Sequence, residues 1–241
     1  MMDFSGKTAL ITGASRGIGR AVAIQFAKLN ADVVLLDIDM DGLELVRKEL
    51  SEYPVRIEIY ECDISDEARV NEVCASAISK MGKIDILINN AGLWRHACLF
   101  EESDSSVWRR KIDVNILGTM YMTRALINPM LERGWGRIIN IASVAGVYGI
   151  ARMADYSMTK GAIIAFTTAL AKEVTQRGVL VNAVSPGSVS DDEGVIPSEL
   201  SFMGRTGSHQ ENANLICFLA SEEASYIAGQ NIQIDGCRKK M

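Results

Sequence analysis

Short apolar runs alternate with amphipathic stretches along the whole chain, at intervals of about 25 residues. The apolar runs predict strands over residues 7–12, 31–36, 55–60, 84–88, 137–142, 180–185 and 231–234. Helices are predicted after Gly19 through Ala27, over 41–51, 66–81, 103–133, from Asp155 through Ala169, and over 212–221. Strands that alternate with helices in this way form a parallel sheet with right-handed crossovers. We therefore predict an α/β fold, with residues 1–241 forming one doubly wound domain around a seven-stranded parallel sheet and helices on both faces.

The composition is ordinary for a soluble globular chain, with 48% hydrophobic and 23% charged residues. The net charge of −5 and the lack of a basic run longer than residues 238–240 disfavour nucleic-acid binding. No apolar run reaches the roughly 18 residues of a membrane-spanning helix, so no membrane association is expected. Five scattered cysteines indicate reduced thiols and a cytoplasmic location. With two histidines and no Cys/His ligand spacing, no metal site is predicted.

A glycine-rich turn, Gly-Ala-Ser-Arg-Gly-Ile-Gly at residues 13–19, joins the first predicted strand to the first helix. That order is the context of dinucleotide binding in a Rossmann domain, because glycine lets the backbone approach a pyrophosphate at a helix N-terminus. Packing between strand and helix would also explain these glycines. Asp37 ends the second strand 18 residues past Gly19, near the expected offset of an acid that binds the adenosine ribose.

Three side chains of complementary chemistry lie after the fifth predicted strand. Ser143 stands at the strand end, and Tyr156 and Lys160 share one face of the following helix. An ammonium about 4 Å from a phenol lowers its pKa by roughly three pH units before desolvation is subtracted. We expect Tyr156 to act as a general acid/base and Ser143 to bind the reacting oxygen. The alternative is an ordinary helix with a surface lysine and a boundary tyrosine.

Polar residues follow two other strands and interrupt one helix. Asp63 after the third strand either meets an adenine edge or caps the next helix. Residues 89–92, Asn-Asn-Ala-Gly, fit a backbone that lies against a ligand. Asn115 is a poor helix former within a predicted helix, so its side chain either holds a water or satisfies a local carbonyl.

The segment over residues 188–209 is polar and irregular, which predicts a substrate lid. Trp94, Tyr148 and Met153 either form an apolar pocket wall or belong to the core.

Together these motifs resemble the short-chain dehydrogenase/reductase family, in its shorter type. The resemblance runs from Gly6 to Gly236, and within the family the bacterial 3-oxoacyl-acyl-carrier-protein reductases are the most similar subgroup, one that shades into sugar, polyol and steroid dehydrogenases. It rests on Thr12-Gly-Ala-Ser-Arg-Gly-Ile-Gly19, Asn89-Asn-Ala-Gly92, Asn115, Ser143, Tyr156-Ser-Met-Thr-Lys160 and Pro186-Gly187.

The resemblance implies a role for each matching residue. Tyr156 would be the acid/base and Ser143 the ligand of the carbonyl oxygen. Lys160 would hold the nicotinamide ribose and lower the pKa of Tyr156, and Asn115 would hold a water in the proton relay. The residues that would line the dinucleotide are Gly13, Ser15, Arg16, Gly17, Ile18, Gly19, Asp37, Asp63, Ile64, Asn90, Ala91, Gly92, Tyr156, Lys160, Pro186, Gly187 and Val189.

Three positions depart from the family pattern. Asp191, next to Ser190, stands where the family often has threonine, and Gly236-Cys237 replaces a usual Gly-Gly. The segment from Gly187 to Arg205 is also shorter than in the acyl reductases, which weakens a fatty-acid assignment.

We predict an NAD(H)-dependent enzyme that acts on a small secondary alcohol or ketone. The carboxylate of Asp37 would repel a 2′-phosphate more strongly than the exposed Arg16 would attract it. The alternatives are a 3-oxoacyl-acyl-carrier-protein reductase that uses NADPH and a non-catalytic dinucleotide-binding regulator. Arg133 and Lys172 either supply positive charge for docking of a carrier protein or are ordinary solvated helix ends. The resemblance and the long apolar helices over 103–133 and 154–178 predict a homotetramer or homodimer.

Overall fold

All seven strands of the computed structural model are parallel and form one sheet, in the order β3-β2-β1-β4-β5-β6-β7. The strands are β1 (Thr8–Thr12), β2 (Asp32–Asp37), β3 (Ile57–Glu61), β4 (Ile86–Asn89), β5 (Gly136–Ile141), β6 (Val179–Pro186) and β7 (Asn231–Ile234). This confirms the predicted sheet. The structure describes residues 2–190 and 194–239, so Asp191 lies outside the described residues.

Helices cover both faces of the sheet, as predicted. They are α1 (Gly17–Lys28), α2 (Met40–Leu50), α3 (Glu67–Met81), α4 (Ser105–Ile112), α5 (Thr119–Arg133), α6 (Val144–Tyr148), α7 (Ala154–Val174) and α8 (His209–Ala220). Because side chains alternate along a strand, Ile11 joins a core with Phe26 of α1, whereas Leu10 joins a second core with Met122 of α5. Helices α2 and α8 contribute to the first core, and α3 and α7 to the second.

The helix predicted over 103–133 contains a discontinuity. It begins at Ser105, capped by Asp104, and a π-helical segment, Asp113–Gly118, separates α4 from α5. Asn115 lies within this segment, where the wider turn suits a residue that bonds away from the helix. The prediction of a single regular helix over 103–133 was therefore wrong at this point.

Two boundaries near α7, the helix that carries Tyr156 and Lys160, also differ from the prediction. The glycine-rich bend after β5 contains the short helix α6, whose N-cap is Ser143. Helix α7 begins at Ala154, with Asp155 in its first turn, and it continues to Val174 instead of ending at Ala169. Burial of one side of α7 against the sheet stabilises the extra turns.

The strand order reverses between β1 and β4. Loops from neighbouring strands diverge at such a point and leave a crevice at the carboxyl edge of the sheet. The fold therefore places the glycine turn after β1 beside the segment that follows β4. Among the helices of the described ranges, none has the length and apolar character needed to span a membrane.

Candidate active site

The turn after β1 and the segment after β4 are bonded to each other directly. The Thr12 hydroxyl accepts hydrogen bonds from the Asn90 and Ala91 N–H groups, both at 3.0 Å. The Asn90 side chain donates to the carbonyls of Thr12 and Gly13, also at 3.0 Å. The sequence motif includes Thr12, but no role was predicted for it. Its position at the end of β1 could have indicated a role at the crevice.

Glycine is required at the centre of this turn. Gly13 has φ = +66°, and a Cβ atom on it would lie 2.9 Å from the Ala91 Cα. Gly17 also has a positive φ, of +60°, at the first residue of α1. The backbone of residues 13–19 is thereby held open at the crevice, with Gly19 buried behind it.

The N-terminus of α1 offers donors without a side-chain acceptor of its own. Its N-cap, Arg16, makes no capping hydrogen bond, and the first turn, which includes Ile18, holds no acid. Such an end attracts a phosphate through its N–H groups and its partial positive charge. Together with the glycine turn, this donor set fits the pyrophosphate of a dinucleotide.

Asp37 lies at the edge of the same turn. Its Oδ2 accepts a hydrogen bond from the Ser15 N–H at 3.0 Å, and its Oδ1 accepts from the Asp39 N–H at 3.2 Å. The carboxylate is half-buried and fixed, whereas Arg16 is exposed and forms no ion pair among residues 2–190 and 194–239. Contact of this carboxylate with ribose hydroxyls stays a prediction.

Asp63 does not cap the helix that follows it. Asp66 is the N-cap of α3, so the capping alternative was wrong. Burial raises the pKa of Asp63, but hydrogen bonds from Ser65 and Arg110 outweigh it and hold this pKa below its usual value. Ile64 is buried, and a Cβ atom on Gly118 would lie 2.7 Å from its side chain. Their contact with an adenine stays a prediction.

Ser143, Tyr156 and Lys160 are brought together where β5 ends. The Ser143 hydroxyl caps α6 by accepting from the Ala145 N–H at 3.1 Å, and its interaction with the Tyr156 side chain acts to lower the pKa of that phenol, against the larger effect of burial. Lys160 is buried, its Nζ donates to the Ile141 carbonyl at 2.6 Å, and it lies 5.9 Å from the centre of the Tyr156 ring. The predicted grouping of a hydroxyl, a phenol and an amine is therefore present.

The electrostatics differ from the expectation. Burial raises the pKa of Tyr156, and the hydrogen bond with Ser143 offsets only part of that rise. Burial lowers the pKa of Lys160 to about 8. The predicted lowering of the Tyr156 pKa by Lys160 is wrong for this structure, because burial dominates at Tyr156 and Lys160 is not among the groups that lower this pKa.

Asn115 uses its side chain to hold the segment that follows Gly92. Its Oδ1 accepts from the Leu93 N–H at 2.7 Å, and its Nδ2 donates to the Leu93 carbonyl at 2.9 Å and to the Thr159 hydroxyl at 3.0 Å. Both sequence alternatives missed these partners, which lie 22 and 44 residues away. A water held by Asn115 stays a prediction.

Exposed loops form the other side of the crevice. Trp94 is 50% and Tyr148 41% exposed and Met153 is half-buried, so these residues do not belong to the core. The Cys98 N–H donates to the Arg152 carbonyl at 2.9 Å, which ties the loop after β4 to the loop before α7.

The segment after β6 is more regular than its composition predicts. The Gly187 N–H donates to the Ile234 carbonyl at 2.9 Å, directly after Pro186, and Val189 pairs with Gly207. Ser201 pairs with Arg238 near the C-terminus. Whether this segment, in its described part, closes over a substrate stays a prediction, as does contact of Val189 with a nicotinamide. Among the described residues, no group of three or more His, Cys, Asp or Glu is arranged to hold a metal ion.

Comparison with known proteins agrees with this arrangement. The family model described as short chain dehydrogenase matches residues 7–194. The 3-oxoacyl-acyl-carrier-protein reductase of Thermotoga maritima is 37% identical over 243 residues, and that of Escherichia coli is 36% identical over 245 residues. Each alignment covers 98% of this chain and 98% of the relative.

A solved structure of NAD+-bound xylitol dehydrogenase superposes on this chain with a TM-score of 0.92. The two sequences are 31% identical, and the superposition covers 97% of this chain and 99% of that one. Similar proteins of this fold thus include reductases of carrier-bound acyl groups and a polyol dehydrogenase.

Proposed function

The chain belongs to the short-chain dehydrogenase family, and from that premise we propose that it transfers a hydride between NAD(H) and a secondary alcohol or ketone. Membership establishes an oxidoreductase of this family. The observation that carries the proposal is the grouping of Ser143 and Tyr156 beside the buried Lys160, at the crevice that the glycine turn borders.

The bound nicotinamide ring would supply or accept the hydride. Tyr156 would give a proton from its phenol oxygen to the substrate oxygen in reduction and remove it in oxidation. Ser143 would donate a hydrogen bond to the same oxygen as its charge changes. Lys160, fixed on the Ile141 carbonyl, would bind the ribose hydroxyls through its remaining N–H groups.

Asp37 supports NAD(H) as the cofactor. Two backbone N–H groups fix its carboxylate, so the carboxylate would not swing away from a 2′-phosphate. At about 4 Å and an effective dielectric near 20, like-charge repulsion is about 4 kcal/mol per charge. The exposed Arg16 would return about 1 kcal/mol at most. The NAD+ in the xylitol dehydrogenase structure is consistent with this choice.

Reduction of a 3-oxoacyl group on a carrier protein is the second candidate, and the full-length similarity to such reductases favours it. The contacts of Arg133 disfavour it as a docking cation for the carrier protein. The Arg133 guanidinium donates to the Ile84 carbonyl at 2.6 Å and lies 3.8 Å from Asp85, so it is engaged within its own chain. Lys172 is exposed.

We also propose that the protein self-associates and that it is a cytoplasmic enzyme. Met120 of α5 and Met158 of α7 are exposed apolar side chains on long helices, which supports a homotetramer or homodimer. Free thiols at all five cysteines support a cytoplasmic enzyme. Light scattering at micromolar concentration would measure the assembly, and a monomeric mass would contradict it.

Absorbance at 340 nm tests the reaction. Purified protein would be given NADH or NADPH with simple ketones and a 3-oxoacyl thioester, and NAD+ with secondary alcohols and polyols. Turnover with NADH or NAD+ and a small substrate is expected. Selective turnover of the thioester with NADPH would favour the second candidate. Nucleotide binding by fluorescence without turnover of any substrate would indicate the non-catalytic alternative.

A further inference from the structure

Two polar contacts, one helical turn apart, join α7 to the helix formed by α4 and its π-helical continuation. The Lys111 Nζ donates to the Asp155 Oδ2 at 2.7 Å, and the Asn115 Nδ2 donates to the Thr159 Oγ1 at 3.0 Å. The second contact is four residues further along each element, so both contacts lie on one facing stripe. These contacts fix how α7 is rotated at the turn that carries Tyr156.

The Lys111–Asp155 pair is buried, with side-chain exposures of 3% and 13%. Taking two charges out of water is costly, and apolar residues of similar size often stabilise a fold equally well. Most of the other ion pairs in the described residues bridge exposed or half-exposed side chains, for example Lys80–Glu58 at 54% and 30%. A buried pair next to the candidate active site therefore invites a role other than stability.

Asp155 connects the pair to Tyr156 directly. Its Oδ2 faces Lys111, and its Oδ1 accepts from the Tyr156 N–H at 2.7 Å. The carboxylate is thus held between an ammonium and the backbone of the acid/base candidate. An uncompensated negative charge one residue from Tyr156 would disfavour the phenolate, and Lys111 neutralises that charge.

We propose that Lys111 and Asp155 are positioning residues for Tyr156, with Lys111 also cancelling the charge of Asp155 at the phenol. The inference rests on the proposed acid/base role of Tyr156. Among the described residues, the polar groups that contact Tyr156 include Lys160, Asp155 and Thr159 on its own helix, Ser143 at the N-cap of α6, and, through Asp155, Lys111 of α4.

Opposite pH shifts in two single variants test the proposal. In alcohol oxidation the phenolate is the base, so the midpoint of the rise of kcat/KM with pH follows the pKa of Tyr156. Lys111→Met leaves the Asp155 charge uncompensated and moves the midpoint up by about one pH unit, the effect of a unit charge at about 10 Å and dielectric near 20. Asp155→Asn leaves the ammonium and moves the midpoint down by a similar amount. Each kcat falls about tenfold, on the scale of lost orientation.

The double variant Lys111→Met/Asp155→Asn should return the midpoint to the wild-type value while kcat stays about tenfold low. Lys80→Met, which removes a lysine from an exposed pair of the same 2.7 Å length, is the matched control and should change neither quantity. Circular dichroism confirms that each variant is folded.

If both single variants have a lower kcat but their midpoints do not shift, or shift equally in the same direction, the pair has a purely structural role. That result would overturn the inference. If the single variants do not fold, the double variant decides: wild-type kcat in it also overturns the inference. Lack of turnover by wild-type protein, or full activity of Tyr156→Phe, would instead overturn the proposed function.

Discussion

The dinucleotide side and the substrate side of the crevice differ in the residues that occupy left-handed backbone positions. In the turn after β1 both positive-φ positions are glycine, Gly13 and Gly17. On the substrate side, formed by the loop after β4 and the loop before α7, His96 and Arg152 have φ values of +72° and +67°. Non-glycine residues in this region cost about 1–3 kcal/mol each. The dinucleotide side is therefore free of this strain, whereas the substrate side retains it.

The two sides also differ in what faces the ligand. Hydrogen bonds among Thr12, Gly13, Asn90 and Ala91 hold backbone against backbone on the dinucleotide side. On the substrate side, exposed side chains such as Trp94 project from loops. A backbone cradle suits one invariant ligand, whereas loop side chains change specificity without changing the scaffold. This contrast explains why the cofactor class is inferred more readily than the substrate.

The largest expected effect separates chemistry from binding. Tyr156→Phe should lower kcat by at least about 100-fold, because it removes the proton-transfer group, while NADH binding stays within a few-fold. Tyr226→Phe removes the hydroxyl of an exposed tyrosine in the loop before β7 and serves as the control. Steady-state rates and NADH fluorescence measure both quantities. More than a tenth of the wild-type rate in Tyr156→Phe would exclude it as the acid/base.

The next effect tests whether the dinucleotide side depends on close backbone packing. Gly13→Ala should weaken NADH binding by about 100-fold, because the new Cβ would meet the Ala91 Cα at 2.9 Å and shift the cradle. Gly134→Ala is the matched control, since Gly134 has a similar φ of +63° but no atom within 4 Å of its Cβ position. It should lose about 1 kcal/mol of stability and keep its NADH affinity. Equal NADH affinities in the two variants would contradict the cradle.

The third effect concerns cofactor choice. Wild-type kcat/KM should favour NAD(H) over NADP(H) by at least about tenfold, and Asp37→Ser should narrow or invert that ratio by removing the repulsion. Asp39→Ser is the control, since Asp39 caps α2 from an exposed position and serine also caps well. It should leave the ratio unchanged. Comparable use of NADPH by the wild-type enzyme would show that Arg16 governs the pocket.

The features that the sequence predicted correctly differ from those that it missed in how far apart their residues lie along the chain. The sheet, the glycine turn, the position of Asp37 and the Ser143–Tyr156–Lys160 grouping depend on short motifs and strand ends, which are local in sequence. The Lys111–Asp155 pair and the Asn115–Thr159 contact each join residues 44 positions apart, so spacing within one helix does not reveal them. The raised pKa of Tyr156 depends on burial, which a sequence motif does not measure.

The smallest expected effect tests backbone strain at Cys237, which lies after β7. Cys237 stands where the family usually has a second glycine, and its φ of +58° costs an L-residue roughly 1 kcal/mol. Cys237→Gly removes this cost, but glycine also increases the entropy of the unfolded chain, which offsets part of the gain. A net stabilisation of about 0.5 kcal/mol is therefore expected. For a chain of this size the melting temperature should rise by roughly 1–2 °C. Asn30→Gly is the control, since Asn30 has φ = +65° but asparagine tolerates this conformation, so no gain is expected there. Calorimetry on both variants measures the difference, and an equal or lower melting temperature for Cys237→Gly would mean that its backbone carries no such strain.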